Sequence, residues 1–112
     1  MTDSDLNVMY NFADAMVMPA RYEIGSLPVM EAQRAGAPVI CLDSAGMREV
    51  TGGRARMVPA MESSLLAQAM RDIATQPALR QELRGGGLEH ARKFSWRRTA
   101  ELTLDVLAEA GR

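Results

Sequence analysis

The sequence contains little cysteine, histidine or aromatic residue. Its 112 residues include one cysteine, one histidine, two Phe, two Tyr and one Trp, against nine methionines. A single cysteine excludes a disulfide within the chain and fits a reducing compartment. Cys41 lies in an apolar run with no nearby base, so we predict a core residue rather than a nucleophile. His90 stands near the basic Arg92–Lys93 segment, and we predict a solvated surface side chain. No metal site is expected, and we interpret the methionines as core filling rather than an adaptable binding surface.

The sequence also lacks a charge excess and a long apolar run. Its formal net charge is −1, which gives no case for a nucleic-acid partner. No apolar run approaches the ~20 residues of a membrane span, and the acidic N-terminus is unlike a signal peptide, so we expect a cytoplasmic protein. The last third is basic but interleaved with glutamates. This favours a solvated charged face over association with an anionic membrane surface, which stays the alternative for Arg80, Arg84, Arg92, Lys93, Arg97 and Arg98.

Apolar spacing and capping residues predict alternating helices and strands in one domain, residues 1–112. Short apolar runs predict buried strands at 15–18, 39–42 and 55–58. Helices are expected at 4–14 (capped by Ser4 or Asp5), at 27–35, as one turn at 47–50, from Ser63 or Ser64, from Pro77 to about Arg84, and after Ser95. Gly85–Gly87 should interrupt the Pro77 helix, since each helical glycine costs about 1 kcal/mol relative to alanine. We expect Trp96 to anchor the last helix.

This alternation predicts the fold class. Strands that are continuous apolar runs are typical of a parallel sheet covered on both faces. We therefore predict a small Rossmann-like three-layer α/β domain with about three parallel strands. The loops that follow the strands should meet at one sheet edge, the usual ligand edge of such folds. Glu23 and Gly25 follow the first strand, and Asp43 to Gly46 follow the second.

Two glutamates mark a candidate ligand site at that edge. Glu23 and Glu31 are eight positions apart, and Gly25 and Pro28 lie between them. Glu23 should therefore lie on the loop and Glu31 early in the next helix. A helix N-terminus binds anions and carboxylates hold hydroxyls, so this volume suits a ligand with phosphates and hydroxyls.

These two acids, and Glu49 further along the chain, each also have a structural interpretation. Glu23 is alternatively a solvated loop acid paired with Arg21. Glu31 is alternatively a favourable acid near a helix start, worth about 0.3–1 kcal/mol. Glu49 is alternatively a local cap or a partner of Arg48.

Several ordered motifs carry a family resemblance over nearly the whole chain. They are residues 10–15 (YNFADA), 19–23 (PARYE), 27–32 (LPVMEA), 36–40 (GAPVI), 45–50 (AGMREV) and 94–96 (FSW). In order and spacing they closely resemble the family 4 glycosyltransferases of the GT-B fold. The chain resembles the C-terminal part of their donor-binding domain.

The resemblance implies a site that holds a nucleoside-diphosphate sugar for transfer with retention. It implies that Glu31 accepts hydrogen bonds from the ribose hydroxyls and that Glu23 faces the donor sugar near its reacting end as the catalytic candidate. The amides around Gly25, Ser26 and Leu27 would contact sugar and phosphate, and Glu49 is a further candidate donor contact. No cofactor is implied beyond the nucleotide sugar, which is the donor substrate.

Two differences from the family limit how far its residue roles can be assigned to this chain. Ile24-Gly25-Ser26 stands where the family usually has a Gly-aromatic-Gly sequence, which affects the approach of the backbone to the donor. The resemblance also leaves out the acceptor domain and the first donor-domain strands with their basic residue. Arg21 and Arg48 would compensate only by pointing into the crevice. We therefore expect this chain alone to be catalytically incomplete.

Two other function classes stay open. A short sheet with exposed edges and uncovered apolar helix faces is typical of a non-catalytic interaction module, or a remnant, that self-associates through a sheet edge. A nucleotide-sugar epimerase shares the two-domain architecture. The Glu23–Glu31 pair with its flanking Pro and Gly residues favours the transferase.

Overall fold

The computed structural model describes residues 1–21 and 26–111 and contains six helices and three strands there. In chain order the elements are α1 (Asp3–Phe12), β1 (Met16–Met18), α2 (Leu27–Arg34), β2 (Val39–Leu42), α3 (Ala45–Thr51), β3 (Arg56–Val58), α4 (Ser63–Thr75), α5 (Pro77–Ala91) and α6 (Trp96–Ala110). Alternation of helices and strands is confirmed. Among the described residues, no helix is long and apolar enough to cross a membrane.

The three strands form one parallel sheet in the order β1-β2-β3. Met18 pairs with Cys41, which pairs in turn with Met57. Because the strands are parallel, the segments that follow β1, β2 and β3 leave the sheet at the same edge. The predicted α/β class and three-stranded parallel sheet are confirmed.

One face of the sheet is covered by α2 and α3. Val39 and Cys41 of β2 pack there with Val29, Ala32 and Met47. Cys41 is fully buried, as predicted for a core residue, and burial raises the pKa of its thiol to about 11. The thiol is therefore kept protonated at neutral pH.

The opposite face is covered by α4 and by the first half of α5. Ile40 and Val58 pack there against Ala69, Ile73 and Leu83. Alternate residues of β2 thus feed two separate cores, which is the pattern of a strand buried on both faces. The result is the predicted three-layer arrangement of helix, sheet and helix.

Two helix starts differ from the sequence prediction. Thr2, rather than Ser4 or Asp5, caps α1, because its hydroxyl accepts from the Asp5 N–H while the Asp5 carboxylate accepts from the Thr2 N–H. This reciprocal pair lowers the pKa of Asp5. The predicted single turn at 47–50 is a longer helix, because the Ser44 side chain accepts from the Met47 N–H and starts α3 at Ala45.

The expected break at Gly85–Gly87 is wrong, and α5 continues to Ala91. Two of the three glycines, Gly86 and Gly87, lie where α5 passes close to other elements. A Cβ on Gly86 would lie 3.2 Å from the Arg54 side chain, and one on Gly87 would lie 3.3 Å from the Gln33 side chain. Close tertiary packing here overrides the low helix propensity of glycine.

His90 is not the solvated surface residue that we predicted. Its Nε2 lies 3.0 Å from the Val50 carbonyl oxygen, and its ring meets Phe94 edge-on with 5.1 Å between centroids. The ring also lies against Gly52, which ends α3 with φ +64°. His90 therefore docks α5 on the end of α3.

The last helix, α6, begins after Ser95 as predicted, with the Ser95 hydroxyl accepting from the Arg98 N–H. All fifteen residues of α6 are exposed. Trp96 is 79% exposed, so the prediction that it anchors the helix is wrong.

Candidate functional site

The start of α2 lies at the sheet edge where the strands end. Ser26 is buried, and its hydroxyl accepts from the Val29 N–H at 3.2 Å as the N-cap. Pro28 has no N–H, and Met30 donates to the Ser26 carbonyl oxygen at 3.1 Å. Among the bonds that join described residues, the Leu27 N–H has no acceptor, so this N–H and the positive end of the helix dipole are available to an anion at the helix start.

Glu31 lies one turn further along α2 and is exposed. It borders two cavities. Tyr10 of α1 lies beside it. The pKa of Tyr10 is raised, first by its partial burial and then by the charge of Glu31 and a hydrogen bond with it. Tyr10 therefore keeps its proton and can donate to the Glu31 carboxylate.

The first cavity, which we call the α2–α6 groove, has a volume of about 440 Å³. Its lining is mostly apolar and comes from α2, from the ends of α3 and α5, from the segment between α5 and α6, and from the first turn of α6. The residues along it are Leu27, Met30, Glu31, Gln33, Arg34, Val50, Ala91, Phe94, Ser95, Trp96 and Thr99. Leu27 and Glu31 thus border one groove, as a ligand that spans the start of α2 would require.

The second cavity lies between α1, α2 and α5 and has a volume of about 620 Å³. Its lining is more polar and includes Asn7, Tyr10, Glu31, Arg34 and Arg84. Both volumes fall within the range of about 300–1,000 Å³ that is usual for small-molecule sites. Glu31 is the acid that the two cavities share.

The segment after β2 carries a charge pair. Arg48 of α3 donates to Asp43, with 2.8 Å between Nη2 and Oδ2. This hydrogen bond holds the pKa of Asp43 below its usual range and raises that of Arg48. Arg48 is therefore already paired within the chain, which weakens the expectation that it points into the crevice. Arg21 is exposed.

The structure brings together some of the predicted site residues and separates another. Ser26, Leu27 and Glu31 lie together on the first turns of α2. Glu49 is exposed on α3 and lines neither cavity. Glu23 and Gly25 lie outside the described residues, so their predicted roles stay predictions. The described residues hold no cluster of three or more His, Cys, Asp or Glu side chains that would bind a metal.

The sequence analysis missed Gln33, a buried polar residue that holds α2 in place. Its side-chain amide donates to the Thr51 carbonyl at 3.2 Å and to the Arg54 carbonyl at 3.1 Å. The signal was available, because Val29, Ala32 and Gln33 recur at the i, i+3, i+4 spacing of a buried helix face. Tyr10 was likewise noted only as part of the motif at residues 10–15.

Comparison with known proteins assigns a family. Residues 1–90 match the family described as "Glycosyl transferases group 1". A D-inositol 3-phosphate glycosyltransferase of Saccharomonospora viridis is 36% identical over 95% of this chain and 25% of its own length. A second protein of that name, from Streptomyces bingchenggensis, is 33% identical over 99% of this chain and 25% of its own length.

A relative with a different name matches over a similar range. The serotype-specific mannosyltransferase WbdA of Escherichia coli is 32% identical over 94% of this chain and 13% of its own length. The chain therefore spans a quarter or less of the length of these relatives. No solved structure matches the chain.

Proposed function

The chain belongs to the group 1 glycosyltransferases, and on that premise we propose that it is the C-terminal part of a nucleotide-sugar-binding domain. In the complete enzyme this domain would hold a nucleoside-diphosphate sugar while the sugar is transferred to an acceptor with retention at the anomeric carbon. The resemblance described above is the basis for the donor type and for retention.

The observation that carries this proposal is the arrangement at the start of α2. A buried serine caps the helix at the ligand edge of the sheet, and an exposed glutamate follows one turn later. A helix N-terminus stabilises phosphate, and a carboxylate accepts hydrogen bonds from hydroxyls. We assign the diphosphate to the Leu27 end of α2 and the ribose hydroxyls to Glu31.

The Tyr10 hydroxyl supports the assignment of Glu31. The charge of the Glu31 carboxylate contributes to the raised pKa of Tyr10, so the hydroxyl is a neighbouring donor that leaves carboxylate lone pairs for ligand hydroxyls. Glu23 keeps the proposed catalytic role near the donor sugar, and Gly25 keeps the proposed amide contact. Glu49 is the weakest of the proposed contacts, because it borders neither cavity.

Transfer itself is proposed only for an assembly that also provides an acceptor domain and a cation for the departing diphosphate. The described residues include no acceptor domain, and Arg48 is paired with Asp43. We therefore expect the chain to bind a nucleotide sugar without turning it over. The cytoplasmic location stays a prediction.

Ligand-observed NMR with UDP-, GDP- and ADP-sugars tests this function. We expect saturation transfer to one class of nucleotide sugar, which is lost in Glu31→Ala and retained in the control Glu82→Ala. Glu82 is an exposed glutamate on α5 and lines neither cavity. If none of the three nucleotide sugars shows saturation transfer at millimolar concentration, the proposal is contradicted.

The interaction-module alternative keeps one observation in its favour, the complete exposure of α6. Such a module would ignore nucleotides and bind protein. The same NMR series separates the two classes, because only the donor-binding domain responds to Glu31→Ala.

A further inference from the structure

The α2–α6 groove contains aromatic side chains to which the donor assignment gives no role. Phe94 and Trp96 line it, together with Thr99 on the first turn of α6. Trp96 is the only tryptophan of the chain and is 79% exposed, so it does not serve the core. An exposed aromatic ring that lines a cavity offers a flat surface on which a flat ligand group can stack.

The position of Phe94 is fixed by two contacts. Its ring meets the His90 ring edge-on, with 5.1 Å between the centroids, and its carbonyl oxygen accepts from Arg34 Nη1 at 3.4 Å. His90 in turn lies against the Val50 carbonyl oxygen. These contacts join the end of α5 to α2 and α3, so the aromatic wall of the groove is preformed, as in most small-molecule sites.

The α2 wall of the groove follows one face of that helix. Leu27, Glu31 and Arg34 line the groove at the i, i+4, i+7 spacing of a single face. From Leu27 to Arg34 the helix rises about 10 Å. In a nucleoside diphosphate the phosphates, the ribose and the base are joined in that order. With the diphosphate at Leu27 and the ribose at Glu31, the base comes to the Arg34 end of the groove, beside Phe94.

We propose that this end of the groove is the base subsite of the donor site, with Trp96 and Phe94 as its stacking surface and Arg34 as its polar contact. The inference rests on the proposed function, because the diphosphate and ribose assignments orient the nucleotide. Stacking on an aromatic ring accepts every base, since each base has a π-face. The rings therefore supply affinity, and Arg34 supplies the choice of base.

The guanidinium of Arg34 carries hydrogen-bond donors only, and Nη1 is already used on the Phe94 carbonyl oxygen. Guanine and uracil present a carbonyl acceptor at the position where adenine presents an amino donor. An amino group that faces a guanidinium leaves donors without acceptors, which lowers affinity. The subsite therefore takes guanine or uracil in preference to adenine.

The polar cavity between α1, α2 and α5 is the competing place for the base, because Glu31 borders it as well. Tyr10 is the aromatic residue of that cavity, and its hydroxyl already faces Glu31. The α2–α6 groove offers two aromatic rings and a more apolar lining. A flat base with apolar faces therefore favours the groove.

Tryptophan fluorescence reports on the subsite directly, because Trp96 is the only tryptophan. The probes are UDP, GDP and ADP, which differ only in the base. We expect GDP and UDP to quench the fluorescence saturably, and ADP to bind about fivefold more weakly or worse. Glu31→Ala keeps the tryptophan but loses the ribose contact, so it gives the background quenching by free nucleotide.

Ligand-observed NMR with the same nucleotides isolates the contact with the base. Trp96→Ala should weaken binding about fivefold or more, and saturation transfer to the base protons should fall more than transfer to the ribose protons. Trp96→Phe should retain most of the affinity, because a phenyl ring also stacks. Arg34→Met removes the donors and should abolish the discrimination against ADP.

Phe12→Ala is the matched control for the loss of an aromatic ring. Phe12 is 84% exposed and lines neither cavity, so this variant should bind as the wild type does. Because Trp96 is also exposed, its truncation should not disturb the core, and circular dichroism checks that each variant folds.

The two proposals fail in different ways. If none of the nucleoside diphosphates shows saturation transfer at millimolar concentration, the donor site is absent and the base subsite falls with it. If binding depends on Glu31 but neither quenches Trp96 nor responds to Trp96→Ala, the donor site stands and the base subsite is overturned. Loss of that binding in Arg84→Ala would then place the base in the polar cavity. A preference for ADP would overturn the role of Arg34.

Discussion

The helices α5 and α6 have the same length, fifteen residues, and opposite environments. α5 contains three consecutive glycines, yet it buries Leu83, Gly86, Gly87 and Ala91. α6 contains no glycine and has a serine cap and an Arg97–Glu101 pair, yet it buries nothing. Packing therefore accounts for α5, and local preferences account for α6.

The two helices also differ in role, because α5 holds the domain together and α6 is exposed. α5 passes from α4 to α2 and α3, where Leu83 joins one core, Gly87 meets Gln33, and His90 meets Gly52. It fixes the scaffold on which α2 presents Glu31. α6 leaves its apolar residues available for another surface.

The largest contrast is expected from the same leucine truncation on each helix. Leu83→Ala should lower the free energy of unfolding by about 2–4 kcal/mol, because it leaves a cavity between α5 and the sheet. Leu104→Ala should change it by less than about 0.5 kcal/mol, since that side chain is 66% exposed. Urea denaturation at a concentration where the chain is monomeric measures both. Equal losses would show that α6 packs on the domain after all.

A smaller loss is expected where α5 docks on α3. Gly52 has φ +64°, and a Cβ there would overlap the His90 ring. Gly52→Ala should therefore destabilise the fold by about 2 kcal/mol, of which the left-handed backbone alone accounts for about 1–2. Gly53→Ala is the control, because it has φ +74° but no atom within 4 Å of the new Cβ. The melting temperature of Gly52→Ala should be lower than that of Gly53→Ala. The reverse order would exclude a role for the His90 contact.

Alanine substitutions at different glycines of residues 85–87 should change the stability of the protein in opposite directions. Gly85 has open space around a new Cβ, so Gly85→Ala should stabilise α5 by up to about 1 kcal/mol. Gly87→Ala should destabilise it by about 1 kcal/mol, because the Cβ would press on buried Gln33. Urea midpoints of the two variants decide this. Stabilisation by both would mean that α2 and α5 are not closely packed.

The smallest expected effect is on the pH dependence of stability, through Asp72 of α4. Hydrogen bonds from Gln68 and Arg56 lower the pKa of Asp72. A carboxyl whose pKa is lowered by folding stabilises the protein above its unfolded pKa of about 3.9, and that stabilisation is lost as pH falls through the folded value. Asp72→Asn should therefore reduce the loss of stability between pH 6 and pH 3. An unchanged pH profile would show that the Arg56–Asp72 pair contributes nothing measurable.

The sequence predicted the strands well, because three short apolar runs between helical patterns leave few alternatives. The boundaries of β2 at Val39–Leu42 agree with the prediction. The break in α5 was wrong because glycine propensity was weighed without the spacing of Leu79, Leu83, Gly86, Gly87, His90 and Ala91, which is helical throughout.

The candidate site was predictable only in part. Pro28 and the Ser26 cap identify the start of α2, and the eight-residue spacing identifies Glu31. The environments of Tyr10 and His90 depend on contacts with residues far along the chain, which local patterns do not encode. His90, for example, meets the Val50 carbonyl forty residues away.

The most direct test of the donor-site account is amide chemical-shift mapping of the labelled chain during titration with the nucleotide sugar that binds. The account predicts the largest shifts at Leu27 and its neighbours through Glu31, with the α6 amides beyond Thr99 unchanged. Shifts confined to the polar cavity between α1, α2 and α5, or to α6, would contradict it.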